Sequence, residues 1–118
     1  MIKSLAMIVA LLLPLKALAE PYLLMAEEAG CVWCARWNAE IAPIYPKTAE
    51  GKTAPLQRYD LRRDTPDVDF DRPVRFTPTF ILVRNGEELG RIEGYPGDDF
   101  FWAMLARMIE DAGIPLEQ

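Results

Sequence analysis

The pattern of hydrophobic and polar positions in the first half of the chain predicts a strand, a helix and a second strand. Residues 22–28 form a short apolar run closed by charged residues, as expected for a buried strand. From Cys31 onward, apolar side chains recur every three or four positions, which predicts a helix that breaks near Pro43. Residues 54–61 alternate imperfectly between apolar and polar side chains and are predicted to form another strand.

The second half of the chain predicts a hairpin and a final helix. Residues 79–84 and 88–93 are rich in β-forming side chains, and Asn85 and Gly86 between them are the pair preferred in tight hairpin turns. Residues 98–113 have aspartates at the start, apolar side chains on one face and a glycine at the stop, which is typical of a helix.

This order of elements predicts an α/β fold. A βαβ unit followed by a ββα unit gives a four-stranded mixed sheet with flanking helices. The connector, residues 62–76, is polar and interrupted by prolines; a short helix around Asp67 is one option there. With 51% hydrophobic and 26% charged residues, the composition is that of an ordinary globular domain.

Residues 1–19 do not belong to that domain. Lys3 supplies a positive start, residues 5–13 are an unbroken apolar run, and small residues end the segment at Ala19. These are the features of a secretory signal peptide, so we predict cleavage after Ala19 and a mature domain of residues 20–118. A retained membrane anchor is the less favoured alternative, because the run reaches only about half of the ~20 residues needed to span a bilayer.

The charge of the chain restricts its partners. The net charge is −5, and the predicted signal peptide contains Lys3 and Lys16 but no acidic residue, so its removal makes the domain more acidic. An acidic domain is repelled by phosphate groups, which argues against nucleic acid and anionic membranes as partners. No segment after the signal peptide reads as transmembrane, and we expect the mature protein to be soluble.

Cys31 and Cys34 are the only two cysteines and the centre of the candidate chemistry. A structural zinc site needs four Cys or His ligands, and this sequence has no histidine and no third cysteine, so one chain cannot complete it. A purely structural disulfide is disfavoured because so small a loop removes little entropy from the unfolded chain. Copper binding by the two thiolates stays open, although we expect neither a resident metal nor a cofactor.

The position of the two cysteines favours redox chemistry. They follow a predicted strand and lie at the start of a predicted helix, where free N–H groups and the helix dipole stabilise a thiolate. We therefore predict Cys31 as the exposed nucleophile and Cys34, one turn further along the apolar face, as the thiol that resolves the mixed disulfide. In an oxidising compartment the pair will be a disulfide unless a partner reduces it.

A second motif, Thr77-Pro78, opens the first strand of the hairpin. A Cys-x-x-Cys at the start of the first helix, a Thr-Pro before a hairpin and a terminal helix together resemble the thioredoxin superfamily over residues 20–118. The resemblance implies a minimal thioredoxin-like fold and a thiol–disulfide oxidoreductase. It also implies that Pro78 is cis and packs beside the cysteines, and that Thr77 offers backbone hydrogen bonds to a bound substrate.

The sequence departs from thioredoxin at several site positions. Val32 and Trp33 stand between the cysteines in place of Gly-Pro, and we expect them to contact the substrate. Met25 occupies the position, six residues before the first cysteine, where thioredoxin has a buried Asp. Glu27 or Glu28 could take over as a general base; alternatively, both are solvated charges at a strand end.

A narrower resemblance comes from the strings CARW, PIYPKT and TPTF. They are similar to those of the small periplasmic thioredoxins of bacterial sulfur-oxidation systems, the SoxS type. This likeness implies a periplasmic reductant of protein disulfides that keeps the cysteine of a sulfur-carrier protein active and is itself re-reduced by a membrane thiol transporter. Two alternatives stay open: a disulfide-donating oxidase of the same fold, because sequence does not set a reduction potential, and a copper-binding carrier.

Overall fold

The structure is a computed structural model that describes residue 6, residues 8–10 and residues 19–118. Most of the predicted signal peptide, residues 1–19, lies outside the described residues, so its cleavage stays a prediction. Within the described part of the chain, no helix is long and apolar enough to cross a membrane.

The helices and strands follow the predicted order, with two additional short helices after the first helix. In chain order they are β1 (Tyr22–Glu27), α1 (Val32–Glu40), a 3₁₀-helix (Tyr45–Lys47), α2 (Ala49–Thr53), β2 (Leu56–Asp60), β3 (Thr79–Arg84), β4 (Glu87–Glu93) and α3 (Asp98–Asp111).

The first helix ends slightly earlier than its apolar pattern indicates. The N–H groups of Ile41 and Ala42 both donate to the carbonyl of Trp37, over 2.8 and 3.2 Å, which closes the last turn of α1. Pro43 follows and has no N–H with which to continue the helix. The chain then turns into the 3₁₀-helix and α2, a helix of only five residues that the periodicity does not predict.

The strands form one four-stranded mixed sheet in the order β2-β1-β3-β4. β1 is parallel to β2 and antiparallel to β3, and β3 is antiparallel to β4. Asn85 and Gly86, which join β3 to β4, both have positive φ, 56° and 73°, as the tight turn between twisted strands requires. The predicted fold, a βαβ unit followed by ββα with a four-stranded mixed sheet, is therefore confirmed.

The two long helices, α1 and α3, pack on the same face of the sheet. Trp37 of α1, Phe80 of β3 and Phe101 of α3 meet there, with ring centroids 5.0–5.7 Å apart. The opposite face is covered by the connector, whose Phe70 ring lies 6.4 Å from that of Tyr59. Fully buried aromatic side chains therefore fix α1, which begins at the two cysteines, against the sheet.

The connector between β2 and β3 forms no helix around Asp67. Instead, Asp69 makes an isolated bridge with Glu87 of β4, and its N–H donates to the carbonyl of Gly86 over 2.7 Å. The connector thus runs beside β4, which would otherwise be an unpaired edge of the sheet.

A buried ion pair holds the connector in place. Arg91 of β4 contacts Glu88 over 2.6 Å, and their side chains are 4% and 1% exposed. Arg91 also donates to the backbone carbonyls of Arg72 and Pro73, over 2.8 and 3.3 Å. Because a buried guanidinium is stable only when its donors are satisfied, these contacts fix the path of the chain that leads to Thr77.

Candidate active site

A tight turn at the end of β1 delivers the cysteines to the edge of the sheet. The Cys31 N–H donates to the carbonyl of Glu28 over 3.3 Å, and Gly30 inside the turn has a φ of +80°, a conformation that side chains disfavour. α1 then begins at Val32, with Cys31 as its N-cap. The pair therefore lies where strand passes into helix, as the sequence predicts.

Cys31 and Cys34 are joined as a disulfide. The Sγ atom of Cys31 accepts a hydrogen bond from the Cys34 N–H over 3.1 Å, the contact typical of an N-cap side chain. The same donor and the helix dipole would face a thiolate on Cys31 after reduction. Cys31 is partly exposed, whereas Cys34 is only 4% exposed, so the two sulfur atoms differ in their access to a partner.

The Thr77-Pro78 segment lies at the same edge of the sheet. Ala26 of β1 pairs with Thr79 of β3, so the residues after β1 and those before β3 are neighbours. The Thr77–Pro78 peptide bond is cis, and Pro78 is buried. The Thr77 hydroxyl donates to Glu28 Oε1 over 2.8 Å, which ties this segment to the turn that precedes the cysteines.

Large apolar side chains are exposed on both segments. Val32 and Trp33, between the cysteines, are 75% and 52% exposed, and Phe76, directly before Thr77, is 61% exposed. Exposed aromatic side chains are enriched at protein interfaces. Phe76 is not among the predicted site residues, although a phenylalanine at the end of a polar connector and next to Thr-Pro is a visible signal in the sequence.

The two candidate general bases are each engaged by an arginine. Glu27 Oε2 lies 2.5 Å from Arg58 Nη1, and Glu28 Oε2 lies 2.6 Å from Arg62 Nε. Glu28 is in addition the acceptor for the Thr77 hydroxyl. Both glutamates therefore form ion pairs, but Glu28 also contacts the Thr77–Pro78 segment and Glu27 does not.

Met25, at the position of thioredoxin's buried Asp, is fully buried in β1. It shares a core cluster with Cys34 and Trp37. Arg58 on β2 is its partner in the sheet; Arg58 Nη1 lies 3.6 Å from Met25 Sδ, and its guanidinium lies 5.8 Å from the Trp37 ring centre. A thioether beside a guanidinium thus replaces the buried acid in this protein.

A further set of side chains links the end of the hairpin to α1. The Tyr95 hydroxyl donates to Glu40 Oε2 over 2.5 Å, and Arg36 Nε donates to Glu40 Oε1 over 2.8 Å. The Arg36 guanidinium lies 5.5 Å from the centre of the Trp33 ring. The spacing of Arg36 and Glu40 on a helix is visible in the sequence, but nothing in the sequence indicates that Tyr95 joins them.

Among the described residues, no group of three or more His, Cys, Asp or Glu side chains is arranged to hold a metal ion.

A Cys-x-x-Cys disulfide at the first turn of a helix, beside a Thr–cis-Pro segment on a four-stranded mixed sheet, defines a thiol–disulfide oxidoreductase of the thioredoxin fold. The chain belongs to the thioredoxin-like family: a family model described as a thioredoxin-like domain matches residues 14–109. The predicted family and enzyme class are confirmed. A comparison with curated proteins gives no match.

Solved structures give the more specific likeness. The periplasmic thioredoxin SoxS from Paracoccus pantotrophus, solved in its reduced form, is 57% identical, with a TM-score of 0.76; the match covers 79% of this chain and 99% of that one. Two other thioredoxins are 17% identical with TM-scores of 0.57. One is from Malassezia sympodialis (76% of each chain covered) and one is Deadhead from Drosophila melanogaster (75% of this chain and 81% of that one). These two show the shared fold alone.

Proposed function

We propose that this protein is a periplasmic thioredoxin that reduces disulfides on a sulfur-carrier protein. The observation that carries the proposal is the 57% identity to the periplasmic thioredoxin SoxS over 99% of that chain. The exposed apolar side chains beside a partly exposed Cys31 support a protein as the partner, because a small disulfide needs no such surface.

The proposed reaction begins with Cys31 in the reduced protein. Its thiolate attacks one sulfur of the partner's disulfide, a mixed disulfide forms, and the other partner sulfur leaves as a thiolate that takes up a proton. Cys34 then loses its proton and its sulfur attacks Cys31 Sγ. The Cys31–Cys34 disulfide forms and the partner's second sulfur leaves as a thiolate, so two electrons have passed to the partner. A membrane thiol transporter, acting as a dithiol donor, returns them.

The substrate would lie across the two segments of the site. Val32 and Trp33 would contact the partner with their exposed side chains, and Thr77 would offer its backbone to the partner's extended chain, next to Pro78. This proposal is supported by the placement of the cysteine turn and the Thr77–Pro78 segment at one edge of the sheet, where the Thr77–Glu28 hydrogen bond joins them.

Proton transfer for Cys34 is better supported for Glu27 than for Glu28. Glu27 pairs with Arg58, which also touches Met25 in the core cluster that contains Cys34, whereas Glu28 faces Thr77. The pH profile of insulin reduction tests this. Glu27→Gln should shift the profile and lower kcat, and Glu28→Gln should leave its shape unchanged. The opposite result would assign the proton to Glu28, and two unchanged profiles would exclude both glutamates.

Export is a separate part of the proposal. Expressed with residues 1–19 in place, the protein should appear in the periplasmic fraction with Glu20 as its first residue, because cleavage is predicted after Ala19. Mass spectrometry of that fraction decides. An uncleaved chain in the membrane fraction would support the anchor instead.

The direction of electron flow is decided by the reduction potential of the Cys31–Cys34 pair. Equilibration with glutathione should give a value nearer to thioredoxin's, about −270 mV, than to that of the oxidant DsbA, about −120 mV. A value near the latter would make the protein a disulfide donor.

The partner is tested by trapping. Cys34→Ser should accumulate mixed disulfides with a sulfur-carrier protein in a periplasmic extract, and Cys31→Ser should trap nothing. Failure to trap, together with tight binding of Cu(I) to the reduced protein, would instead favour the copper carrier.

A further inference from the structure

Three side chains outside the Cys-x-x-Cys motif form a continuous set of contacts that ends at Trp33. Tyr95 donates to Glu40 over 2.5 Å, Arg36 contacts the other oxygen of Glu40 over 2.8 Å, and the Arg36 guanidinium lies over the Trp33 ring at 5.5 Å. The Tyr95–Glu40 contact spans 55 positions of sequence, so it joins two elements that the backbone alone does not connect.

Stabilising the helix does not explain why Arg36 and Glu40 lie where they do. Glu40 is the last residue of α1, where the helix dipole disfavours a carboxylate, and Arg36 is the middle residue of the helix, where the dipole gives a cation no advantage. A pair with the cation first and the carboxylate four residues later is also the weaker orientation. The arrangement is explained by the outside partners, Tyr95 on one oxygen of Glu40 and Trp33 beyond Arg36.

Tyr95 is held in place by its surroundings and can therefore restrain α1 through Glu40. It is 7% exposed, and its ring packs against Phe101 with 6.2 Å between centroids. Its neighbour Gly94 donates its N–H to the carbonyl of Pro78 over 2.7 Å. Burial, and then the hydrogen bond to Glu40, raise the pKa of Tyr95 well above its ordinary value, so the hydroxyl remains a donor at alkaline pH where an ordinary tyrosine ionises. Tyr95 therefore connects the Pro78 side of the site to the Trp33 side.

Trp33 is the part of this set that a partner can reach. Its side chain is 52% exposed, and without a contact on one face an exposed indole samples several rotamers. A guanidinium over the ring attracts it electrostatically and restricts this sampling. Restricting a side chain before binding lowers the entropy that association costs.

We propose that Tyr95 and Glu40 are positioning residues which, through Arg36, hold Trp33 in place for protein partners and so determine recognition of protein disulfides over small ones. The inference rests on the proposed role of Trp33 in partner contact. None of the three residues touches the reacting sulfur atoms in this assignment; they act on KM rather than on the exchange step.

The test compares Tyr95→Phe and Glu40→Gln with matched controls. Tyr45→Phe also removes one tyrosine hydroxyl bond, to the carbonyl of Ala54 over 2.6 Å. Arg107→Gln removes an exposed ion pair with the same spacing, Arg107–Asp111 on α3. Each protein is assayed with insulin and with the small disulfide dithiobis-nitrobenzoate. Acrylamide quenching of Trp33 is measured on the oxidised proteins, with Trp33→Phe as the blank.

We expect Tyr95→Phe and Glu40→Gln to raise the KM for insulin roughly threefold to tenfold, the cost of ordering one free side chain on binding. The kcat for insulin and the rate with the small disulfide should stay unchanged, Trp33 should become more accessible to acrylamide, and the two controls should resemble the wild type. Unchanged KM and unchanged quenching would overturn the inference, as would an equal effect of Tyr45→Phe.

The quenching arm separates this inference from the proposed function. If the wild type reduces the small disulfide but not insulin, the proposed protein-disulfide function fails, whereas a change in Trp33 accessibility would still support the positioning role of Tyr95 and Glu40. An unchanged accessibility in the two variants overturns the positioning role whatever the wild type reduces.

Discussion

The Thr77 hydroxyl donates a hydrogen bond to the Glu28 carboxylate over 2.8 Å, across 49 positions of sequence. Glu28 belongs to the turn that presents Cys31, and Thr77 begins the cis-Pro segment. Glu28 is held on its other oxygen by Arg62, so the carboxylate is fixed from both sides. This bond sets the distance between the two segments on which a substrate would lie.

Replacing Thr77 by valine should therefore weaken the reaction with protein disulfides. Thr77→Val removes the donor while keeping the shape of the side chain, so the free energy of unfolding should fall by about 1 kcal/mol. The segment would be less well held, and kcat/KM for insulin should fall, whereas Glu28→Gln, which keeps an acceptor oxygen, should have a smaller effect. Chemical denaturation and insulin reduction measure the two quantities.

Thr53→Val is the matched control for this prediction. Thr53 donates to the carbonyl of Ala49 and accepts from the Glu117 N–H, both over 2.8 Å, outside the candidate site. It should lose stability without losing activity. If both threonine variants lost activity in proportion to their stability, the Thr77–Glu28 bond would have no special role in the site.

The two cysteines should differ in their reaction with iodoacetamide. In the reduced protein at pH 7, Cys31 should be alkylated first. It is partly exposed and its sulfur faces the Cys34 N–H donor, which stabilises a thiolate, whereas Cys34 is only 4% exposed. Peptide mapping by mass spectrometry should find Cys34 modified only after unfolding in guanidinium. Equal labelling of both residues, or Cys34 first, would contradict the assignment of Cys31 as the nucleophile.

The fold was predictable where local rules decide it. The Asn85-Gly86 pair predicts a hairpin because both positions need positive φ, and both have it. α2 could not be predicted, since five residues are too few for a periodic pattern; it forms because Thr48 caps it, accepting from the Gly51 N–H over 3.0 Å. The connector could not be predicted either, because Arg91 binds it through backbone carbonyls that carry no side-chain signal.

The site divides in the same way. Cys31, Cys34 and Thr77-Pro78 belong to short motifs, so the sequence alone predicts them as site residues. Tyr95 is different, since it lies 55 positions from Glu40 in the sequence and only the folded chain brings the two side chains into contact. The same is true of the pairing of Glu28 with Thr77.

Phe76 should act as part of the partner surface. It is 61% exposed directly before Thr77, and aromatic side chains dominate the energy of protein interfaces. Phe76→Ala should raise the KM for insulin roughly tenfold, equivalent to about 1.4 kcal/mol, without changing the rate with dithiobis-nitrobenzoate. The comparison is Phe100→Ala, which removes a phenylalanine of 67% exposure from α3. A similar rise in KM for both variants would show a nonspecific effect of surface apolarity.

Stability should depend on pH through Glu88. Burial alone would raise the pKa of Glu88. The hydrogen bonds from Arg91 and from the Asp71 N–H together lower it by more than burial raises it, so the pKa lies below its ordinary value. A carboxyl with a lowered pKa stabilises the fold above its unfolded pKa, about 4.3, and that contribution is lost as the pH falls through the folded value. Glu88→Gln should therefore lower the free energy of unfolding at pH 7 by up to about 3 kcal/mol, because the buried Arg91 loses its carboxylate partner at 2.6 Å and keeps only Glu93 at 3.7 Å.

The difference between wild type and Glu88→Gln should begin to shrink as the pH falls below about 4.3, the unfolded pKa, and should reach its minimum below the lower folded pKa, where the folded wild-type carboxylate is also neutral. Urea denaturation from pH 7 down to acid pH measures it. Asp111→Asn, which removes an exposed pair with Arg107 at 3.8 Å, is the control and should cost less than about 0.5 kcal/mol at every pH. A Glu88→Gln difference that stayed constant with pH would mean that the side chain contributes by packing rather than by its charge. The connector would then be held on β4 chiefly by the bonds from Arg91 to the carbonyls of Arg72 and Pro73.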